Sequence, residues 1–351
     1  MKKYFPILVS KKGEIVALQH LEQKVKEEIT PVIQVLGLNL EKKVKGQPVY
    51  NNFLENFFIR HWSFFGNQLI LDFTYLENWD YYFDGIKRLT EELIYNNVNV
   101  VLSVNNNSPK IYSDLVIDLT QTYNLNICFK LSGRIAGFND LNHDIEFFLR
   151  KFKTKEENVI IHLDYGDIIE DDFPRISINT TSAIDLLKLE EVSYHDIFVS
   201  SSSFPSNLGN IALSPPVQKL ERLEEKLWSA IKKHNFSDKV KYSDYGTKSA
   251  KYERINFPGT VSLKYSFKDE FVFYRGELTQ NHRLGHRQFI VHCKNLIDDN
   301  LFYGRDFSWG DLNYYKYSRL DENNPDNKTG NATTWVQISQ NHHITMIHNN
   351  L

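Results

Sequence analysis

The sequence contains very little cysteine and no long apolar segment. Cys128 and Cys293 are the only cysteines among 351 residues, which argues against a disulfide framework and a cysteine-based zinc site. No run of about 18 apolar residues could cross a bilayer, and the apolar stretch in the N-terminal MKKYFPILVSKKGE is too short for a secretory signal. We therefore expect a soluble, cytoplasmic protein with two packed thiols.

An excess of basic charge and the most common catalytic motifs are also absent. The chain has 41 lysines and arginines against 44 aspartates and glutamates, so no overall basic field indicates nucleic acid as an obligatory partner. There is no GxxxxGK[ST], HExxH or GxSxG, and no GxGxxG follows an early strand. The usual signatures of ATPases, zinc proteases, α/β-hydrolases and dinucleotide-binding folds are therefore missing.

Short β-branched apolar runs alternate with segments of helical spacing over the first 245 residues. This alternation predicts right-handed crossovers and a parallel sheet. Eight units in a segment of this size are typical of a (β/α)8 TIM-type barrel. The alternative, a doubly wound open sheet, usually has fewer strands. The predicted strands are residues 5–9, 31–36, 68–73, 98–104, 126–131, 158–165, 196–202 and 239–245.

The sequence pattern changes after residue 246. From there on, turn-forming and aromatic residues replace the regular alternation of strand and helix. We therefore divide the chain into a barrel domain, residues 1–250, and a C-terminal extension, residues 251–351, which we expect to pack on the barrel as a β-rich cap.

Individual elements of this last part can also be predicted. Residues 261–267 and 270–278 alternate in polarity and indicate a hairpin. Residues 286–297 have helical spacing, as do residues 217–234 before the last barrel strand. Residues 335–348 alternate enough to predict one more strand.

A series of short motifs runs from the first predicted strand to the end of the chain. They are YFPILVSKKGEIVALQHL (4–21), ITPVIQV (29–35), SSFP (202–205), SDYG (243–246), YRG (274–276), FSWGD (307–311) and NHH (341–343). In this order they resemble the bacterial and phage-associated Beta protein family, and the resemblance covers nearly the whole chain. It implies no particular reaction and no catalytic residue. It suggests an association with phages, mobile elements or antiviral defence.

Polar residues occur near the carboxyl ends of otherwise apolar strands. In VIIHLDYGD, residues 159–167, the odd-numbered apolar residues at the start would pack on helices, so His162 and Asp164 point into the barrel. Barrels place binding and catalytic groups at this end. The same alternation on the other strands predicts an inward ring of Gln34, Asp72, Asn105, Lys130, Asp164, Ser202 and Asp244.

Two interpretations of this ring stay open. Buried carboxylates beside a lysine must compensate one another, so Lys130 could neutralise Asp72 or Asp164 in a purely structural network. The ring could equally be a ligand-binding or catalytic site, because perturbed ionisable groups cluster at such sites.

If the ring is an active site, the candidate catalytic residues are Asp72, Lys130, Asp164 and Asp244, acting as acid/base groups or as ligands of a divalent cation. The candidate substrate-binding residues are Gln34, Asn105, Ser202 and Arg275. The predicted function is then hydrolysis of an anionic substrate such as a phosphate ester. The alternative is a non-catalytic recognition protein that binds a protein or a nucleic acid through its cap and rim.

Two features of the extension allow more than one interpretation. His342 and His343 are adjacent on the predicted final strand, so they would face opposite sides and could not both bind one metal ion. Arg275 precedes Gly276, which would let an anionic group approach the backbone closely. Arg275 could equally pair with an aspartate of the extension.

Overall fold

The fold is built around a closed barrel, to which a hairpin and a three-stranded sheet are added. The computed structural model describes residues 4–63, 68–133, 138, 140–211, 216–235, 237–252 and 260–351. The strands are β1 (Tyr4–Val9), β2 (Val32–Gln34), β3 (Glu41–Val44), β4 (Gln47–Tyr50), β5 (Gln68–Asp72), β6 (Asn99–Val104), β7 (Ile127–Ser132), β8 (Val159–Asp167), β9 (Asp196–Ser202), β10 (Val217–Glu221), β11 (Val240–Asp244), β12 (Thr260–Ser266) and β13 (Glu270–Leu278).

The helices are distributed between these strands and after the last one. They are α1 (Lys12–Gln19), α2 (Gln23–Glu28), α3 (Phe53–His61), α4 (Trp79–Tyr95), α5 (Lys110–Tyr123), α6 (Leu141–Phe152), α7 (Phe173–Leu186), α8 (Leu223–Ile231), α9 (Gln288–Ile297), α10 (Trp309–Ser318) and α11 (Ala332–Asn350). In the described part of the chain, no helix is long and apolar enough to cross a membrane.

The barrel strands are all parallel and follow the order β1-β11-β9-β8-β7-β6-β5-β2, which closes on itself. These are the eight strands predicted from the sequence, and helices surround them. The prediction of a (β/α)8 TIM-type barrel is therefore confirmed. Both cysteines are buried free thiols, as expected.

The two faces of each barrel strand carry different residues, because successive side chains of a strand point to opposite sides. Leu69 and Leu71 of β5, for example, belong to the core between barrel and helices. Ile70 belongs to a separate core inside the barrel, whose members are Phe5, Ile7, Val32, Ile70, Val101, Cys128, Ile160, Phe198, Tyr245 and Ala250. This inner core fills the barrel, and the polar ends of the strands lie above it.

A small sheet and three C-terminal helices are added to the barrel, and one strand of the sheet, β10, precedes the last barrel strand β11. β10, β13 and β12 form an antiparallel sheet in that order, and β3 with β4 forms a separate hairpin. The predicted hairpin of residues 261–267 and 270–278 is confirmed as β12 and β13, and the predicted helix of residues 286–297 is confirmed as α9.

Two of the predicted elements were wrong. Residues 335–348 lie in the helix α11, which begins at a capping box formed by Asn331 and Thr334. Its residues from Trp335 to His348 are buried on most sides, so the apolar side chains show no clear period. The first part of the predicted helix 217–234 is the strand β10, because pairing with β13 outweighs its helical spacing.

Candidate functional site

A cavity of about 460 Å³ opens where the carboxyl ends of the barrel strands meet. Its volume lies within the usual range for small-molecule sites, about 300–1,000 Å³. Much of its wall is aromatic. The lining residues are Gln34, Thr74, Tyr75, Lys130, Ser132, Asp164, Tyr165, Gly166, Asp167, Ile176, Tyr245, Ala250, Lys251 and Tyr252.

Three charged side chains from different strands meet at the floor of this cavity. The Nζ atom of Lys130, on β7, lies 3.1 Å from Asp72 Oδ2, on β5, and 3.3 Å from Asp164 Oδ2, on β8. All three side chains are buried, and Lys130 and Asp164 line the cavity. We call Asp72, Lys130 and Asp164 the open cluster. Their convergence is what the alternation of faces predicted.

The other oxygen of each carboxylate is held by further donors. Asp72 Oδ1 accepts hydrogen bonds from the backbone N–H, at 2.9 Å, and the hydroxyl of Thr74. Asp164 Oδ1 accepts from Gly166 N at 2.9 Å, Ser200 Oγ at 2.9 Å and Tyr245 Oη at 2.8 Å. Both carboxylates are therefore fixed in position by groups that favour their ionised form.

These contacts set the charge states of the open cluster. Burial alone would raise the pKa of both carboxyls, but Lys130 and the hydrogen-bond donors lower the pKa of Asp72, and that of Asp164 to about 2. Burial alone would lower the pKa of Lys130, but attraction by Asp72, Tyr245 and Asp164 raises it well above its ordinary value. At neutral pH the cluster thus contains one ammonium and two carboxylates.

His162 lies below the open cluster and extends its hydrogen-bond network. Its ring stacks on Phe198 with centroids 4.2 Å apart, and its Nε2 is 2.7 Å from Ser200 Oγ. Because Ser200 donates its one hydroxyl hydrogen to Asp164, Nε2 of His162 must be the donor to Ser200. Nδ1 is then a bare, buried acceptor without a partner among the described residues, and burial lowers the pKa of His162 to about 3.

The segment that follows β11, residues 245–252, covers one side of the cavity. Asp167 at the end of β8 accepts hydrogen bonds from Ser249 Oγ, at 2.8 and 2.9 Å, and from Ala250 N at 2.6 Å. Tyr75 Oη donates to Ala250 O at 2.9 Å and accepts from Tyr252 N at 3.0 Å. The cavity therefore has a well-anchored wall rather than only a ring of strand ends.

A divalent cation bound between Asp72 and Asp164 does not fit this arrangement. The ammonium of Lys130 occupies the position between the two carboxylates that such a cation would need. Over the residues that the structure describes, no three His, Cys, Asp or Glu side chains are grouped so as to hold a metal ion. In the open cluster, a lysine therefore takes the position that a metal ion would occupy.

The other predicted ring residues are dispersed around the mouth. Gln34 lines the cavity, and its Oε1 accepts a hydrogen bond from Lys248 Nζ at 3.3 Å. Ser202 donates to the backbone carbonyl of Lys248 at 2.9 Å and so helps to fix the wall segment. Asn105 bonds within its own turn to Asn107 and Ser108 and does not line the cavity.

Asp244 does not belong to this ring, so the prediction that it faces the barrel interior is wrong. It shares a strand face with Val240 and Tyr242, which pack in the outer core, and its register partner on β9 is Ser201 rather than the inward Ser200. Because the weakly patterned KVKYSDY was assigned one residue out of phase, the side chain falls on the opposite face.

Asp244 instead forms a second buried group, which we call the sealed cluster, with Tyr4, Arg222, Tyr242 and His343. Its Oδ2 accepts from Arg222 Nη2 at 3.2 Å and Tyr242 Oη at 3.0 Å and lies 2.9 Å from His343 Nε2. Its Oδ1 accepts from Tyr4 Oη at 2.6 Å. Burial would raise the pKa of Asp244, but His343 and Arg222 lower it strongly.

The sealed cluster continues into the C-terminal part of the chain. His343 Nδ1 is 2.8 Å from Ser266 Oγ, so that Ser266, His343 and Asp244 are arranged like a nucleophile, base and orienting acid. All three are buried, and none lines the cavity at Lys130. His342 lies 2.8 Å from Ser266 O and 2.7 Å from Asp311. Because the two histidines lie on a helix and not on the predicted strand, both can contact the same residue, Ser266.

Sequence reasoning missed the aromatic walls of the cavity. Tyr75, Tyr245 and Tyr252 follow strand ends, and their spacing carries no periodic signal. The signal that could have been used was position, since residues just after barrel strands form the mouth. Lys251, in the segment after β11, was missed for the same reason.

The fold and the site define a (β/α)8 barrel protein. Its cavity lies at the carboxyl ends of the barrel strands and has a lysine at the floor. A comparison with protein-family models matches residues 4–348 to Beta protein. The chain therefore belongs to the Beta protein family. A search of curated proteins found no match.

Proposed function

We propose that the cavity binds a small molecule carrying an anionic group, with a phosphate ester as the best match and Lys130 as the contact at the floor. The observation that supports this is a lysine that is held charged and lines a cavity of ligand size. An ammonium has three donors. Asp72 and Asp164 use two of them, which leaves the third for a ligand.

Two further lysines reduce the negative charge around the cavity, which would otherwise repel an anion. Lys251 lines the cavity, and Lys248 reaches its edge through the hydrogen bond to Gln34. Together with Lys130 they offset the negative charge of Asp72, Asp164 and Asp167. The tyrosines of the wall would contact the less polar part of the ligand.

Hydrolysis of such an ester is the enzymatic form of this proposal. Neither carboxylate of the open cluster is suited to act as a general acid at neutral pH, because both pKa values are lowered. Lys130 would act by stabilising negative charge in the transition state. We therefore expect hydrolysis only of esters whose leaving group departs without protonation, such as aryl phosphates.

The test is calorimetric titration of the protein with phenyl phosphate and with inorganic phosphate. We expect Lys130→Met to weaken binding at least tenfold, which is about 1.4 kcal/mol. Lys110→Met is the matched control, because Lys110 is highly exposed and pairs with the surface residue Asp114. Equal affinities for Lys130→Met and Lys110→Met would contradict the proposal, as long as circular dichroism shows both variants folded.

Release of p-nitrophenolate from p-nitrophenyl phosphate separates an enzyme from a binding protein. Turnover that is lost in Lys130→Met and kept in Lys110→Met would support a hydrolase. Binding without turnover would favour the second candidate, a non-catalytic recognition protein. The saturated hydrogen bonding of Asp72 and Asp164 favours that candidate. An association with phages or defence stays a prediction.

A further inference from the structure

The sheet of β10, β13 and β12 presents one face to the barrel. Phe271 and Phe273 on this face pack on Phe204, which follows β9, with ring centroids 5.0 and 5.3 Å apart. Lys264, on the same face, donates a hydrogen bond from Nζ to Thr247 O at 3.2 Å. The interface therefore contacts the segment 245–252, part of which lines the cavity.

Arg275 lies on this face, two residues beyond Phe273, and its guanidinium has no acidic partner among the residues that the structure describes. It is 5% exposed. Its Nη1 donates to Ser262 Oγ, across the strand pair, whereas its Nε is buried and has no partner in the described part of the chain. Leaving a buried charged group unpaired costs free energy.

The other buried arginine shows what a structural guanidinium looks like in this fold. Arg222 donates from Nε to Glu224 at 3.1 Å, from Nη1 to Lys268 O at 2.8 Å, and from Nη2 to Asp244 at 3.2 Å. Each of its nitrogens has a partner and two carboxylates balance its charge. Arg275 has neither feature, although its side chain is also buried.

A second cation shares the face with Arg275. Lys264 pairs with Phe273 in the register of β12 and β13, which makes it a diagonal neighbour of Arg275, at a distance of about 7–8 Å between backbones. Burial lowers the pKa of Lys264 to about 8, with the nearby carboxylate of Glu14 acting in the opposite direction. Lys264 and Ser262 are only half-buried, so solvent reaches this part of the face.

We infer that Arg275, Ser262 and Lys264 form a second anion site, distinct from the cavity at Lys130, for a phosphoryl or similar oxyanion. With Nη1 held by Ser262, the edge of the guanidinium formed by Nε and Nη2 is the one that remains for two parallel hydrogen bonds to oxygen atoms. Lys264 adds charge without the same geometric demand. A free phosphate and a phosphoryl group on a larger molecule would use the same contacts.

The test uses the Lys130→Met protein, in which anion binding to the cavity should be lost. Calorimetry then measures the binding of inorganic phosphate and phenyl phosphate to this variant. We expect this variant to keep one phosphate site. Adding Arg275→Met should weaken that site at least tenfold, whereas adding Arg305→Met, at an exposed arginine of the same C-terminal part, should leave it unchanged. Stronger binding of phenyl phosphate than of phosphate would identify a phosphoryl ester as the source, and equal binding a free anion.

Arg275→Lys keeps the positive charge but removes the pair of parallel N–H donors. This conservative variant tests the site if Arg275→Met does not fold. We expect it to bind phosphate several-fold more weakly than the parent. The inference is overturned if the Lys130→Met protein binds no phosphate, or if the Arg275 variants bind it as well as Arg305→Met does. If Lys130→Met leaves two sites intact, the proposed function of the cavity fails while the site at Arg275 stands.

Discussion

The open cluster around Lys130 and the sealed cluster around Asp244 are built from similar parts and have opposite surroundings. In each cluster, a buried carboxylate near the carboxyl end of a barrel strand contacts a cation. The open cluster lies on the inner face of its strands and borders a cavity. The sealed cluster lies on the outer face, where Arg222 and the helix α11 cover it.

The difference shows that a buried aspartate near a strand end does not by itself indicate a site. Asp164 and Asp244 both have strongly lowered pKa values, so perturbed ionisation does not separate them. What separates them is access. The sealed cluster even contains a serine, histidine and aspartate in catalytic order, yet these side chains are buried, and their contacts connect α11 and the strand β12 to the barrel.

The largest effect should come from breaking the sealed cluster. Asp244→Ala leaves the guanidinium of Arg222 buried beside unpaired hydroxyl groups, so we expect a loss of about 3–5 kcal/mol in the free energy of unfolding. Urea denaturation measures this loss. Asp306→Ala, at an exposed aspartate, should change stability by less than about 0.5 kcal/mol. An effect of Asp244→Ala no larger than that of Lys130→Met would show that the two clusters are energetically alike.

Breaking the open cluster should cost less stability. Lys130→Met leaves Asp72 and Asp164 without their cation, but water in the cavity can solvate Asp164. We expect a loss of about 1–3 kcal/mol in the free energy of unfolding and an upward shift in the pKa of both carboxyls. Carboxyl titration by NMR measures the shift. A stability loss larger than that of Asp244→Ala would contradict the distinction between the open and the sealed cluster.

The pH dependence of stability should contain a separable contribution from His162. Its folded-state pKa of about 3 lies below the ordinary value of 6.5, so the unfolded chain binds a proton that the folded chain does not. This contribution is complete above about pH 6.5 and is lost as the pH falls towards 3, with a slope approaching 1.4 kcal/mol per pH unit.

His162→Gln should therefore flatten the curve of unfolding free energy between about pH 6 and 4. The matched control is His143→Gln, at an exposed position, which should leave the slope unchanged. Asp164, with a pKa of about 2, loses its contribution only at lower pH, as the pH falls from about 3.9 towards 2. An unchanged slope in His162→Gln would show that His162 is not held neutral.

The smallest effect should come from Tyr245→Phe, which removes one of the donors to Asp164 Oδ1. Gly166 and Ser200 still hold that oxygen, so we expect a loss of about 1 kcal/mol in unfolding free energy and a modest rise in the pKa of Asp164. Phenyl phosphate affinity should change by less than in Lys130→Met. A larger loss of affinity would make Tyr245, rather than Lys130, the main ligand contact.

The sequence alone predicted the eight barrel strands and the convergence of Asp72, Lys130 and Asp164. It could do so because alternation along a strand fixes which side chains share a face, and the parallel barrel brings the carboxyl ends of all strands together. It also predicted the β12–β13 hairpin and α9, where alternating or helical patterns are clear.

Tertiary structure alone decided the face of Asp244, the helical state of residues 335–348 and the walls of the cavity. KVKYSDY carries polar and aromatic residues on both faces, so a shift of one residue is not penalised by its pattern. In α11, polar side chains such as His342 and His343 are buried because distant partners satisfy them. Such contacts connect residues far apart in sequence, and no local pattern encodes them.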